Sequence, residues 1–102
     1  MSHEIVLLLR AEVHAQRIYQ RYEEIDDGNG DRFLGALEQS LALLADHPFL
    51  GRKYRDHPSI RRILVRNFPV AAFYVVEGSR VMVRAILDMR MDHWMIEREL
   101  DA

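Results

Sequence analysis

Several features that define other protein classes are missing from this sequence of 102 residues. It has no cysteine, which excludes a disulfide framework and thiolate chemistry and fits a reducing compartment. Its five histidines show no metal-ligand spacing, and it lacks a glycine-rich phosphate loop, so we expect no metal and no cofactor. No apolar run approaches the roughly 20 residues that span a bilayer, and no basic segment starts a signal peptide. We therefore expect a cytoplasmic protein without membrane contact.

The charged residues are unevenly distributed, although the net charge is only −2. Residues 1–47 carry nine acidic and four basic side chains, whereas residues 48–90 carry nine basic and three acidic ones. Residues 91–102 are acidic again, with four acidic side chains and one basic. This segregation is as compatible with a basic surface for an anionic partner as with an ordinary solvated sheet face.

Hydrophobic periodicity predicts an α+β chain that forms one domain over residues 1–102. Residues 5–9 are continuously apolar, and we interpret them as an N-terminal strand or as the buried start of a helix. Helical spacing then predicts an αα-hairpin, with a second helix that begins at an Asp31 N-cap and ends at Ala45. The predicted apolar stripes are Ala11, Ala15, Ile18, Tyr22 and Ile25 in the first helix and Leu34, Leu37, Leu41 and Leu44 in the second.

The second half of the chain has the pattern of strands. We interpret residues 48–59 as a basic connector and predict strands over 60–66, 70–76 and 80–88, the middle one central and buried on both sides. In the last strand, Val81, Val83, Ala85 and Leu87 should share one face, because they alternate with Arg80, Met82, Arg84, Ile86 and Asp88. The pattern of residues 93–100 predicts a short helix anchored by Trp94, Ile96 and Leu100. The helical hairpin should cover one face of this three-stranded antiparallel sheet.

Residues 61–92 also carry a recognisable series of motifs. The series is a basic strand, Phe68-Pro69, the aromatic pair Phe73-Tyr74, a Glu77-Gly78 turn and an element from Arg90 to Asp92. The helical segments LLLRAEVHAQRIYQRYEE and GDRFLGALEQSLALLADHPFLGR precede it. In this order and spacing, the chain resembles the RelE/ParE toxin superfamily, the plasmid-stabilisation toxins of bacterial type II toxin–antitoxin systems.

The resemblance implies a RelE/ParE-like fold and a toxin that halts growth. Toxins of the ParE branch inhibit DNA gyrase, whereas those of the RelE branch cleave mRNA in the ribosome. A cognate antitoxin is implied as partner, in a toxin–antitoxin hetero-oligomer. Asp88 and Met91 stand where many relatives carry a histidine and a basic residue, so we favour the ParE branch and a protein that is not an enzyme. An mRNA endoribonuclease and an inactive antitoxin-binding relative are the alternatives.

Arginines supply the candidate site. Strand alternation places Arg62 and Arg66 on one face and Arg61 on the other. The predicted target- or phosphate-binding set is Arg62, Arg66, Arg84 and Arg90, because guanidinium groups bind phosphate in a bidentate manner. For a nuclease, the catalytic candidates are Arg61, Arg84, Asp88 and Arg90. An ion pair is the simpler interpretation of Asp88, and solvated strand charges are the simpler interpretation of the arginines.

Overall fold

The computed structural model describes residues 2–101, which form a five-stranded sheet and three helices. The elements, in chain order, are β1 (Glu4–Leu7), α1 (Leu9–Ile25), α2 (Asn29–Asp46), β2 (Arg52–Lys53), β3 (Arg61–Leu64), β4 (Val70–Glu77), β5 (Arg80–Asp88) and α3 (His93–Asp101). The predicted α+β order is therefore confirmed. None of the helices in this part of the chain is long and apolar enough to cross a membrane.

The strand order across the sheet is β1-β5-β4-β3-β2. The predicted antiparallel sheet is present as β3, β4 and β5, and the apolar run at residues 5–9 begins as a strand that pairs in parallel with β5. Residues 48–59 connect α2 to β3, as interpreted, but they also contain a strand that the sequence did not predict. Arg52 and Lys53 form a two-residue strand on the edge of β3, a segment too short to show any alternation.

The αα-hairpin covers one face of the sheet, as predicted. Its apolar stripes are largely confirmed. The exceptions are Ile25 in α1, which is 74% exposed, and Phe33 in α2, which is fully buried although the predicted stripe did not include it. The predicted Asp31 N-cap is wrong, because α2 begins at Asn29 after Gly28, whose φ of 90° is the left-handed conformation that suits glycine. The N-terminal end of α2 is capped by Glu23 of α1. Its Oε1 accepts hydrogen bonds from the N–H groups of Gly28 and Gly30, at 3.1 and 3.0 Å.

The opposite face of the sheet is covered by α3 and the residues around Tyr54. Ile96 and Leu100 are 3% and 1% exposed and pack with Phe73 and Leu87, which confirms two of the three predicted anchors. The third, Trp94, is 52% exposed, so that part of the prediction is wrong. Positions two residues apart project to different sides of a helix, so burial of Ile96 turns Trp94 outward.

A β-bulge divides β5 into two halves, and odd-numbered residues point to one face of the sheet in the first half and to the opposite face in the second. Phe73 pairs with Ala85 whereas Tyr74 pairs with Val83, so Arg84 is an extra residue between them. Val81 and Val83 consequently pack under the hairpin, while Ala85 and Leu87 pack under α3. The prediction that these four residues share one face is therefore wrong, because simple alternation contains no signal for a bulge. Strand β4 is central and buried on both sides, as predicted.

Candidate functional site

A concave basic surface lies where β2 and β3 meet the beginning of α3, and we call it the basic pocket. Its cationic wall consists of Arg52, Lys53, Arg55 and Arg62, and its other wall of Met89, Met91, His93 and Ile96, with Tyr54 at its base. The volume is about 470 Å³, and none of the described residues that line it is acidic. Like charges gathered around a concave surface concentrate the electrostatic potential, so the pocket attracts anions.

The cations are positioned by strand pairing and by an aromatic base. Arg52 pairs with Arg62 across β2 and β3, which brings both to the same edge of the sheet. The guanidinium carbons of Arg62 and Arg55 lie 5.8 and 5.9 Å from the ring centroid of Tyr54. Tyr54 itself is 4% exposed and packs edge-on against Phe73. Its ring therefore supports the arginines and is not available to stack on a ligand.

Of the predicted binding set, only Arg62 is among the described residues that line this pocket. Arg66 lies beyond the end of β3, in the exposed turn that leads to β4. Arg84 is the bulge residue, and its Nη2 donates to the carbonyl oxygen of Leu100 at 3.2 Å, near the end of α3. Guanidinium groups suit helix C-termini, where carbonyls lack partners. The structure therefore places these three arginines in three different settings.

Arg61 lies on the other face of β3, and its side chain contacts the chain just before β2. Its Nη1 donates to the carbonyl oxygens of Gly51 at 2.8 Å and of Phe49 at 3.3 Å, and its guanidinium lies 5.1 Å from the Phe49 ring. Below it, the Gly51 N–H donates to the hydroxyl of Tyr74 at 2.8 Å, and burial raises the pKa of that hydroxyl. These contacts fix the chain that leads from α2 into β2.

Asp88 and Arg90 form the ion pair that the sequence suggested for Asp88. Arg90 Nε donates to Asp88 Oδ1 at 3.0 Å and Nη2 donates to Oδ2 at 2.6 Å, while the Arg90 backbone N–H also donates to Oδ1 at 2.8 Å. The side-chain hydrogen bonds of Arg90 lower the pKa of Asp88, against the opposing effect of burial. At neutral pH the carboxylate is therefore ionised and hydrogen-bonded to Arg90 through both oxygens, which makes it a poor general base.

Two features, one at the basic pocket and one under α3, were missed from the sequence. The Arg52-Lys53 strand gives no periodic signal because it has only two residues. His14 is 9% exposed and contacts both β5 and α3. A signal for its burial was present, because position 14 falls between Ala11 and Ile18 on the apolar face of α1. Among residues 2–101, no group of three histidine or carboxylate side chains is arranged to hold a metal ion.

Comparison with known proteins gives the family. A family model described as the ParE toxin of the type II toxin–antitoxin system parDE matches residues 5–93. A chain of the chromosomal ParDE system from P. aeruginosa is 16% identical, with a TM-score of 0.72 and coverage of 83% of this chain and 94% of that one. The free-state structure of a mutant of E. coli toxin RelE is 15% identical, with a TM-score of 0.65 and coverage of 99% and 96%. At such identities these likenesses show the fold, and no curated protein matches the chain. The family match over most of the chain confirms the resemblance seen in the sequence: the chain belongs to the ParE toxin family of type II toxin–antitoxin systems.

Proposed function

We propose that this chain is the toxin of a toxin–antitoxin module, that it arrests growth by binding a target such as DNA gyrase, and that a cognate antitoxin neutralises it. Membership of the ParE toxin family supports the class of function. The target is a proposal that extends this class to the activity implied by the ParE branch.

The contacts of the catalytic candidates are the observation that favours binding over catalysis. Arg61 is hydrogen-bonded to backbone carbonyls near β2, Arg84 to the end of α3, and Asp88 to Arg90. Cleavage of RNA would require a group that accepts a proton from the 2′-hydroxyl, and the lowered pKa of Asp88 makes its carboxylate a weak acceptor. The basic pocket, in contrast, presents its cations at the surface, where they can contact an acidic surface of a protein target.

The antitoxin is proposed to cover the helical hairpin and an edge of the sheet, as an apolar helix followed by an extended segment. Exposed apolar side chains support this position. Leu9 and Val13, one turn apart on α1, are 75% and 40% exposed, and Leu43 on α2 is 51% exposed. The chain and its antitoxin would then form a hetero-oligomer, and the ParDE neighbour likewise comes from a toxin–antitoxin system.

A ribosome-dependent mRNA endonuclease is the second candidate function. The observation that favours it is the basic pocket itself, because four cations around a concave surface suit a phosphate backbone as well as an acidic protein. An inactive relative that only binds the antitoxin is the third.

Expression from a tightly repressed promoter separates these candidates. We expect growth arrest with inhibited supercoiling by purified gyrase and intact mRNA; truncated mRNA with normal supercoiling would instead identify the nuclease, and no arrest would identify the inactive relative. Arg62→Gln should weaken either toxic activity. Arg80→Gln is the matched control, because Arg80 pairs with Glu4 at 3.2 Å outside the basic pocket. Equal toxicity of both variants at equal soluble levels would exclude the basic pocket as the target-binding surface.

A further inference from the structure

The imidazole ring of His14 connects three elements of the fold. It projects from α1, and its Nδ1 lies 3.2 Å from the backbone nitrogen of Ile86 in β5. Its Nε2 lies 3.2 Å from Oε2 of Glu99 in α3. Because a backbone N–H can only donate, Nδ1 must be the acceptor, and because a carboxylate accepts, Nε2 must carry the proton. The geometry therefore specifies one tautomer of the neutral ring.

Strand β5 needs this acceptor because its parallel neighbour ends early. The pairing of β1 with β5 stops at Leu7 and Val83, after which the chain turns into α1. The N–H of Ile86 lies beyond that point, and Ile86 is fully buried. Nδ1 of His14 replaces the missing strand partner, since a buried N–H without an acceptor is strongly unfavourable.

Helix α3 depends on polar contacts of this kind. It has nine residues, fewer than an isolated helix needs to be stable in water, so its helical state depends on docking. Besides the buried Ile96 and Leu100, it is held at its C-terminal end by Arg10, whose Nη1 donates to the Glu99 carbonyl oxygen at 2.7 Å. His57 contacts Oε2 of Glu97 at 2.8 Å.

We propose that His14 is a conformational latch whose neutral ring holds α3 against the sheet, and that a proton on Nδ1 releases α3 and opens the basic pocket. The protonated ring has two donors and no acceptor, so Nδ1–H would face the N–H of Ile86. The ring must then move away from the Ile86 N–H, so it can no longer hold Glu99 of α3 at its present position beside β5. Because His93 and Ile96 of α3 line the basic pocket, release of α3 removes one of its walls. The consequence for target binding rests on the proposed function; the latch itself does not.

The surrounding charges set the direction of this switch. Burial lowers the pKa of His14 below its ordinary 6.5, and it outweighs the opposite effect of the hydrogen bond and charge of Glu99 on α3. Arg10 and Arg17 of α1 lower the pKa further. His14 also lines a groove between α1 and β5, which contains Arg21 and Glu24 of α1 and Asp88 of β5. Asp88 is already paired with Arg90.

The sign follows from the two states of the ring. With α3 released, the ring gains contact with water and its pKa rises back toward the ordinary value, so the released form binds the proton more tightly than the docked form. The contribution of the neutral ring to docking is therefore complete above the ordinary 6.5 and is lost as the pH falls through the lower pKa of the docked ring. Each unit of pKa difference makes docking about tenfold weaker in the protonated protein.

Trp94 allows a direct test, because it is the single tryptophan of the chain and lies in α3. We expect acrylamide quenching of its fluorescence to rise, and its anisotropy to fall, as the pH is lowered from about 7.5 to about 5, a range that extends well below the ordinary pKa of histidine. The circular dichroism of the other helices should persist. His14→Gln, which offers an amide acceptor and donor but cannot titrate, should abolish the transition. His57→Gln is the matched control and should retain it.

Three results would overturn the proposal: a Trp94 transition with an unchanged midpoint in His14→Gln, one that coincides with global unfolding, or no transition in the wild-type protein. If His14→Gln does not fold, NMR of the wild-type chain decides the question. The amide signals of α3 and Ile86 should then shift with the midpoint of the His14 ring, and unshifted α3 signals would refute the latch. None of these measurements involves a target, so a failed gyrase test would leave them valid, and their failure would leave the toxin proposal intact.

Discussion

The two faces of the sheet are stabilised in different ways. Under the helical hairpin, two long helices bury a continuous apolar cluster that includes Phe33, Leu44 and Tyr74. Under α3, the cluster is smaller and centres on Phe73, Leu87 and Leu100. The α3 face also carries the basic pocket and the polar contacts of His14, His57, Arg10 and Arg84 with α3.

This difference indicates a division between stability and function. A large apolar cluster with local helical contacts forms the most stable cooperative unit of a small protein. A short helix held by a few side chains has a low free energy of local opening, which is the usual property of elements that move near binding sites. We therefore expect the hairpin face to determine the global free energy of unfolding and the α3 face to determine the accessibility of the basic pocket.

A matched pair of leucine substitutions gives the largest effect and tests this division directly. Leu44 on α2 and Leu100 on α3 are both almost fully buried, at 0% and 1% exposure. Leu44→Ala should reduce the free energy of unfolding by about 3–5 kcal/mol, because it leaves a cavity in a rigid cluster. Leu100→Ala should cost about 2 kcal/mol or less, because α3 can undock instead of enclosing a cavity.

Urea unfolding followed by circular dichroism measures both free energies, and Trp94 fluorescence reports α3 separately. In Leu100→Ala the fluorescence transition should precede the loss of helical signal, whereas in Leu44→Ala the two should coincide. Equal losses of free energy with coincident transitions in both variants would show that the two faces unfold as one unit, and the comparison would be wrong.

The next effect concerns a polar contact within the hairpin. Glu23→Ala removes the acceptor for the N–H groups of Gly28 and Gly30 and should reduce the free energy of unfolding by about 1 kcal/mol, the usual effect of losing a helix cap. Because this contact belongs to the stable face, the loss should appear in global thermal unfolding, with Trp94 quenching unchanged at neutral pH. Glu24→Ala is the control, since Glu24 is the exposed neighbour. An equal loss in both variants would contradict the capping role of Glu23.

Sequence patterns predicted the hairpin face better than the α3 face, for a physical reason. The stripes of α1 and α2 repeat over many residues, and the burial of Leu37, Leu41 and Leu44 follows from their spacing. The capping of α2 was predicted incorrectly, because the acceptor Glu23 belongs to the preceding helix and not to the position that local preference indicates. Long periodic elements determine their own burial, whereas their ends depend on tertiary contacts.

The candidate site depends on features that alternation does not contain. The bulge at Arg84 reverses, halfway along β5, which side chains point to which face of the sheet. It also directs the Arg84 side chain to the end of α3. Arg62 lines the basic pocket, while its neighbours there, Arg52 and Lys53, belong to a strand of two residues. The family resemblance identified the fold and the class of toxin, because it rests on the order of several motifs. The site residues are non-local, and the sequence alone could not bring them together.

The smallest effect is expected where the chain leaves the sheet for α3, at the Asp88–Arg90 pair. The hydrogen bonds of Arg90 lower the pKa of Asp88 below its ordinary 3.8, so the folded protein holds the ionised form more strongly than the unfolded chain does. The resulting stabilisation is complete above pH 3.8 and is lost as the pH falls through the lower folded-state pKa. Asp88→Asn should therefore be less stable than the wild-type protein at neutral pH, and the difference should shrink in acid.

Thermal unfolding measured over a pH series checks this, with Arg90→Gln as the matched variant. If the ion pair carries the effect, the two variants should show the same reduced acid dependence, and the double variant should add nothing further. Asp88 lies in β5 while Arg90 lies in the connection to α3, so the pair also tests where the stable unit ends. An undiminished acid dependence in Asp88→Asn would mean that this connection contributes nothing to global stability and belongs with the α3 face.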